Sequence, residues 1–207
     1  TLNEWRLLTR RMREWTEQTQ TGGTVGRDRY VTQQYVLILA NCGARIGELR
    51  YLRWNELRSE VNDDGSKTLI ANVFGKTGER EIVFLEESEV WVKHLYDLRK
   101  KELGDHPPSD GYVVCHKDGK PIGSLKKGFD SLLDYCDLTN DSLGIKRTLY
   151  SLRHFYATQR LSKDVSPFLL AKQMGTSVEM LERFYGQVVT SLVRREINKN
   201  EVSRTPP

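Results

Sequence analysis

The stretch "TLYSLRHFYATQRL", residues 148–161, decides how the rest of the chain is read. It sets the pair Arg153 and His154 inside an apolar, helix-like pattern, with Tyr150 three residues before the arginine. An arginine fixed on a helix offers a rigid fork of donors, the geometry an oxyanion needs. The rest of the chain must supply its partners.

Upstream, "LNEWRLLTRRMREWTEQT" places Trp5, Leu8, Met12 and Trp15 at helical spacing. "TGGTVG" (21–26) reads as a flexible connection, because it lacks the Lys-Ser/Thr ending of a phosphate-binding loop and no strand precedes it. A mostly apolar helix is expected over 28–41, broken near Gly43, followed by a second helix over "ARIGELRYLRW" (44–54) with Ile46, Leu49 and Leu52 inward. From 57 to 85 the period becomes strand-like. "LRSEV", "TLIANVFG" and "REIVFL", separated by the turns "NDDGS" and "KTGE", predict a small three-stranded antiparallel sheet. "EESEVWVKHLYDLRKKEL" (86–103) carries acids at its start and bases at its end, as a helix dipole favours. "YVVCHKDGKPI" (112–122) reads as a short extended segment with a turn, and the chain beyond 124 as helical, with breaks near 139–147, 162–166, 175–177 and 186. The fold class expected is mainly α (α+β): one helical domain over 1–187 with a small sheet, then a basic tail over 188–207.

Composition bounds the function. Hydrophobic content of 38% and charge of 29% fit an ordinary globular protein, and the absence of a long apolar run argues against a membrane span. Three cysteines without paired ligand spacing fit a reduced, cytoplasmic setting. A net charge of +4 is compatible with nucleic acid but is weak evidence alone. The opening at Thr1, inside a helix-like segment, is expected of a piece of something longer.

Four places carry candidate chemistry. Arg45 lies where the chain turns from Gly43 into a new helix. Lys76 lies at the tip of the hairpin in "GKTGERE". Arg153 lies in the opening stretch, and Tyr185 precedes Gly186 in "MGTSVEMLERFYGQV". Singly, each has a bland reading as a surface arginine, a solvated turn lysine, a packed helix or a helix end.

Their order changes that. "GARIGEL", the lysine hairpin, "SLRHFYAT" and "MGTS" followed by Tyr-Gly together resemble the catalytic domain of the tyrosine recombinases, the phage-integrase family, over residues 1 to about 190. The resemblance implies a site-specific recombinase that cuts and rejoins double-stranded DNA through a 3′-phosphotyrosyl intermediate, without cofactor or metal. It makes Arg45 and Arg153 the arginine pair, Lys76 the hairpin lysine and Tyr185 the nucleophile. Two positions depart: the family's usual histidine before the second arginine is Tyr150, and the later histidine or tryptophan is Thr176.

The residue types suit the chemistry. Two guanidiniums match the non-bridging oxygens of a phosphodiester, and losing one such donor costs roughly 10²–10³ in rate. A tyrosine nucleophile conserves the ester bond, and a lysine can protonate the departing 5′ oxygen. Tyr150 and Thr176 can donate hydrogen bonds, but a phenol of pKa about 10 is a poor base at neutral pH. His154 reads as a packed, hydrogen-bonded structural histidine ahead of a supporting catalytic role, and His94, His106 and His116 as surface residues. Arg45, Arg153, Tyr150 and Thr176 are expected on one basic concave face, with Lys76 nearby.

The resemblance further implies self-association on DNA, with residues 188–207, including Arg194, Arg195, Lys199 and Arg204, docking on a neighbouring subunit; the alternative reading of that stretch is a frayed basic tail. It also implies a DNA-clamping domain upstream of Thr1. Two binding-only readings compete: a recombinase homologue without catalysis, because of Tyr150 and Thr176, and a helix-turn-helix regulator built on "LAKQMGTSVEMLERFYG". A type IB topoisomerase shares the nucleophile and clamp, but the two arginine motifs look more like a recombinase.

Overall fold

The computed structural model describes residues 1–18, 23–75 and 78–186. Lys76 and the tail over 188–207 lie outside the described residues. Eleven named segments run in the order α1 (Leu2–Glu17), α2 (Thr24–Cys42), α3 (Ile46–Arg50), a 3-10 turn (Trp54–Glu56), β1 (Leu57–Val61), β2 (Lys67–Gly75), β3 (Gly78–Val83), α4 (Ser88–Leu103), α5 (Lys126–Tyr135), α6 (Leu149–Leu161) and α7 (Pro167–Met174). A further helix, α8, occupies 178–186.

The apolar spacing of α1 does what it predicts: Leu8, Met12 and Trp15 are buried. α2 is the central helix, with Tyr35, Val36, Ile38, Leu39 and Cys42 fully enclosed by α1, α4, α5 and α6. It starts at Thr24, inside the stretch expected to be a connection. The reason is tertiary. Arg27, in that first turn, forks onto Glu102 of α4 at 2.5 and 3.1 Å and reaches the Cys115 carbonyl at 3.0 Å. Local propensity around Gly26 would not hold a helix there alone.

The helix expected over 44–54 is also corrected. It stops at Arg50, and the chain then leaves to meet the 112–113 segment, where the Val113 amide donates to the Leu52 carbonyl at 2.9 Å and Arg53 bridges Tyr112. Leu49 and Leu52 still face the core. Residues 112–122 form isolated bridges and a turn at Gly119.

The sheet matches its sequence reading. β1, β2 and β3 are antiparallel in that order, with Leu57 opposite Ala71, Ile70 opposite Val83, and Gly75 opposite Gly78. α4 carries Glu89 in its first turn and Lys100 and Lys101 in its last, and ends on a left-handed Gly104. A second apolar cluster joins Tyr156, Ala157 and Leu161 of α6 to Leu170, Ala171 and Met174 of α7 and Leu181 of α8, with Tyr185 packed on its margin. That cluster fixes α8 against α6. Cys42, Cys115 and Cys136 are free and buried. Among the described residues no helix is long and apolar enough to cross a membrane.

Candidate active site

The site is assembled around the C-terminal end of α7. A helix end leaves carbonyls without intrahelical partners and carries the negative end of the helix dipole. Here guanidiniums from three separate elements take those carbonyls. Arg153, on α6, donates to the Met174 carbonyl at 2.7 Å and to the Gly43 carbonyl at 2.5 Å. Arg45, the residue capping α3, donates to the Gly175 carbonyl. Arg80, on β3, reaches the carbonyls of Gln173 at 3.4 Å and Met174 at 3.2 Å.

Two of the three cations, Arg80 and Arg45, share one buried anion. Both Glu48 oxygens take Arg80, at 2.5 and 2.7 Å, while Arg45 binds one oxygen through its guanidinium at 2.9 Å and the other through its backbone amide at 2.7 Å. Burial pushes the Glu48 carboxyl up, but Arg80 and Arg45 outweigh that and hold it below its ordinary value. Burial pulls the Arg153 guanidinium down, with Tyr150 and Glu48 opposing and the cations of Arg45 and Arg80 reinforcing. An arginine so placed still stays charged. Gln173 fastens the same turn to the body, donating to the carbonyls of Cys42 at 2.9 Å and Val83 at 2.8 Å.

Glycines make the close approach possible. Gly175 has φ +62°, and a Cβ there would stand 2.7 Å from Arg80 Cζ; Gly43 has φ +65°, and a Cβ there would stand 2.3 Å from the Tyr156 ring. A Cβ on Gly75 would stand 2.4 Å from Glu48 Oε1, so the base of the hairpin presses on the Arg45–Glu48 pair.

The structure therefore brings Arg45 and Arg153 to one turn, as the motif order predicts, but not onto an open face. Arg153 is 5% exposed, and the cleft of about 370 Å³ beside Arg45, between α3 and β2, is lined by Tyr51, Phe74 and Glu56 rather than by Arg153 or Tyr150. Burial follows from the two carbonyls that receive Arg153. Tyr150 stands in the first turn of α6, 49% exposed. Thr176 is half-buried and donates its amide to the Ala171 carbonyl at 3.0 Å, continuing the cap of α7. His94, His106 and His116 are at the surface, as expected, but the first two have partners in Gln34 and Tyr96.

Tyr185 projects from α8 toward α6, and its hydroxyl lies 2.6 Å from His154 Nδ1. Burial pushes this phenol up to about 12, with Tyr150 adding and Arg153 opposing. The sequence marks His154 as a packed, hydrogen-bonded residue but does not name its partner, and it assigns no role to Glu48 or Arg80. Glu48 had one readable signal, its place three residues after a helix-starting Arg45, where a carboxylate reaches back to the cap. Arg80 had none, because its partners come from 32 residues upstream and 94 downstream.

No family model matches the chain, and no curated protein does either. Solved structures do. The XerH site-specific recombinase bound to palindromic difH substrate, a post-cleavage complex, superposes with a TM-score of 0.68 at 16% identity, over 94% of this chain and 51% of that one. The XerA recombinase gives 0.61 at 20% identity, over 98% and 62%. The Tn1549 transposon integrase in complex with transposon right end DNA gives 0.60 at 19% identity, over 92% and 64%. The chain thus spans less than two thirds of each of these structures. It has the fold of the site-specific recombinases and integrases, the fold that its motif order predicts.

Proposed function

We propose that this chain is the strand-cutting and strand-joining part of a site-specific tyrosine recombinase acting on double-stranded DNA. The observation that carries the reading is the meeting of Arg45 and Arg153 at the Met174–Gly175 turn, directly before the helix that bears Tyr185. Two of the five N–H donors of Arg153 go to backbone carbonyls, which fixes the direction of the guanidinium. Arg45 is 29% exposed at its side chain and borders the cleft that flanks the hairpin. A phosphodiester docked against the Met174–Gly175 turn would meet cations oriented before it arrives, so little reorganisation would accompany the build-up of charge. Tyr185 attacks phosphorus, and the 5′ oxygen leaves with a proton from Lys76. Tyr150 and Thr176 act as further hydrogen-bond donors to the phosphate. Assembly as a dimer or tetramer on DNA, with the tail over 188–207 docking between subunits, belongs to the same reading.

The competing reading, a DNA-binding homologue without catalysis, draws on the phenol and hydroxyl at positions 150 and 176. A pool of nicked duplexes with randomised sequence separates the two. Wild type should give a DNA complex that survives denaturing electrophoresis, and Arg45→Ala and Arg153→Ala should each slow its formation by roughly 10²–10³. Salt-sensitive binding without any such complex would support the binding homologue.

A further inference from the structure

Tyr185 needs a proton acceptor, and the family's usual histidine is absent from position 150. The only imidazole in contact with Tyr185 among the described residues is that of His154, with Nδ1 at 2.6 Å from the hydroxyl. We propose that His154 Nδ1 is the catalytic base that takes the Tyr185 proton, in a site where Tyr150 orients the imidazole instead of replacing it. The proposal rests on the recombinase reading and specifies its first step.

Several features support this. His154 lies one helical turn after Tyr150, whose ring packs edge-on against the imidazole at 4.8 Å and 82° between planes. Phe184 and Tyr185 of α8 flank it at 5.9 and 5.7 Å between ring centroids. Three aromatic rings thus fix the imidazole plane, which a base must have before substrate arrives. The titratable and charged groups that face it are Tyr150 and Arg153 from α6 and Tyr185 from α8. Burial, then the Arg153 cation, lowers the His154 pKa, so the ring is neutral at pH 7 with a lone pair to offer. Tyr185, raised to about 12, does not ionise unaided at that pH.

The step balances. The Tyr185 oxygen forms a bond to phosphorus as its proton passes to Nδ1, giving an imidazolium. The bond from phosphorus to the 5′ oxygen breaks, and that oxygen takes a proton from Lys76 or water. In the rejoining direction the imidazolium returns its proton to the tyrosine oxygen as the phosphotyrosyl bond opens. The neutral resting tautomer must carry its hydrogen on Nε2, leaving Nδ1 free.

That requirement gives the first test. Long-range ¹⁵N–¹H spectra of the whole chain should show His154 as the Nε2–H tautomer, with its Nδ1 resonance shifted by Tyr185→Phe. An Nδ1–H tautomer would make the imidazole a donor to Tyr185 and overturn the proposal without touching the recombinase reading. The second test uses the randomised duplex pool with sulfur at the bridging 5′ position, where the leaving thiolate needs no proton. His154→Ala and His154→Gln should both slow adduct formation by roughly 10²–10⁴ and lose the wild-type fall in rate at acid pH. Glutamine can hold the Tyr185 hydroxyl but cannot take its proton, and thermal melting checks that the variant is folded. A His154→Gln rate within a few-fold of wild type would overturn the proposal. Failure of the wild type itself to form an adduct would instead sink the recombinase reading.

Discussion

Glu48 shows how much of this site depends on one buried carboxylate. Its side chain is 3% exposed, and removing it would leave Arg80, at 12% exposure, without an anionic partner among the described residues. Breaking a buried ion pair by deleting one partner costs about 3–5 kcal/mol. Glu48→Ala should therefore lower the unfolding free energy by about 3 kcal/mol in urea titration, at the low end because Arg45 retains contact with solvent. The pH dependence follows from the same carboxylate. Its folded pKa lies below the ordinary 4.5, so its stabilisation is present above that value and lost as pH falls through the folded one. Acid unfolding followed by circular dichroism should begin at higher pH in Glu48→Gln, which has no charge to lose but also none to hold Arg80. His154 acts in the opposite sense to a paired histidine: the unfolded chain binds its proton first, so below about 6.5 stability falls with falling pH until the folded ring also titrates.

At the scale of elements, the two left-handed glycines are the joints of the site. Gly43 ends α2 so that Arg45 can start α3, and Gly175 ends α7 so that its carbonyl can meet Arg45. Gly175→Ala would force a Cβ into Arg80 and place an alanine in a backbone region that disfavours it by about 1–2 kcal/mol. The expected result is a lower melting temperature together with slower cleavage, whereas alanine at Gly144, which has φ +78° but open space around it, should cost only the backbone strain and leave cleavage unchanged. Equal effects at both positions would remove the packing argument.

The elements themselves were largely legible. α1, α4 and the three strands announce themselves by period and by turn residues such as Gly65 and Gly78, because their patterns are local. The start of α2 and the early end of α3 were not, since Arg27 and Leu52 find their partners 88 and 61 positions away, at Cys115 and Val113. The arginine pair was legible through its motifs. The Glu48–Arg80 pair and the Tyr185–His154 contact depend on how β3 and α8 dock, which no local pattern encodes.

At the scale of the whole molecule, a net charge of +4 provides a modest field for a polyanion. The proposed DNA contact should be dominated by phosphates and fall steeply with salt. A footprint of about six phosphates loses about 10³ in affinity between about 50 and 200 mM salt. Fluorescence anisotropy with random-sequence duplex should show that slope, and Tyr185→Phe should leave it in place, because the phenol carries no charge to release counterions. Affinity that does not change with salt would contradict a phosphate clamp.

In the proposed reaction Tyr185 and the two arginines work on one phosphorus atom. The most direct measurement is peptide mapping by mass spectrometry of protein trapped on nicked duplex DNA, after nuclease trimming. The expected product is a nucleotide joined through phosphate to Tyr185, on the peptide that contains Phe184 and Gly186, with no such adduct in Tyr185→Phe. A nucleotide found on Tyr150, or an adduct that persists in Tyr185→Phe, would contradict the proposed reaction.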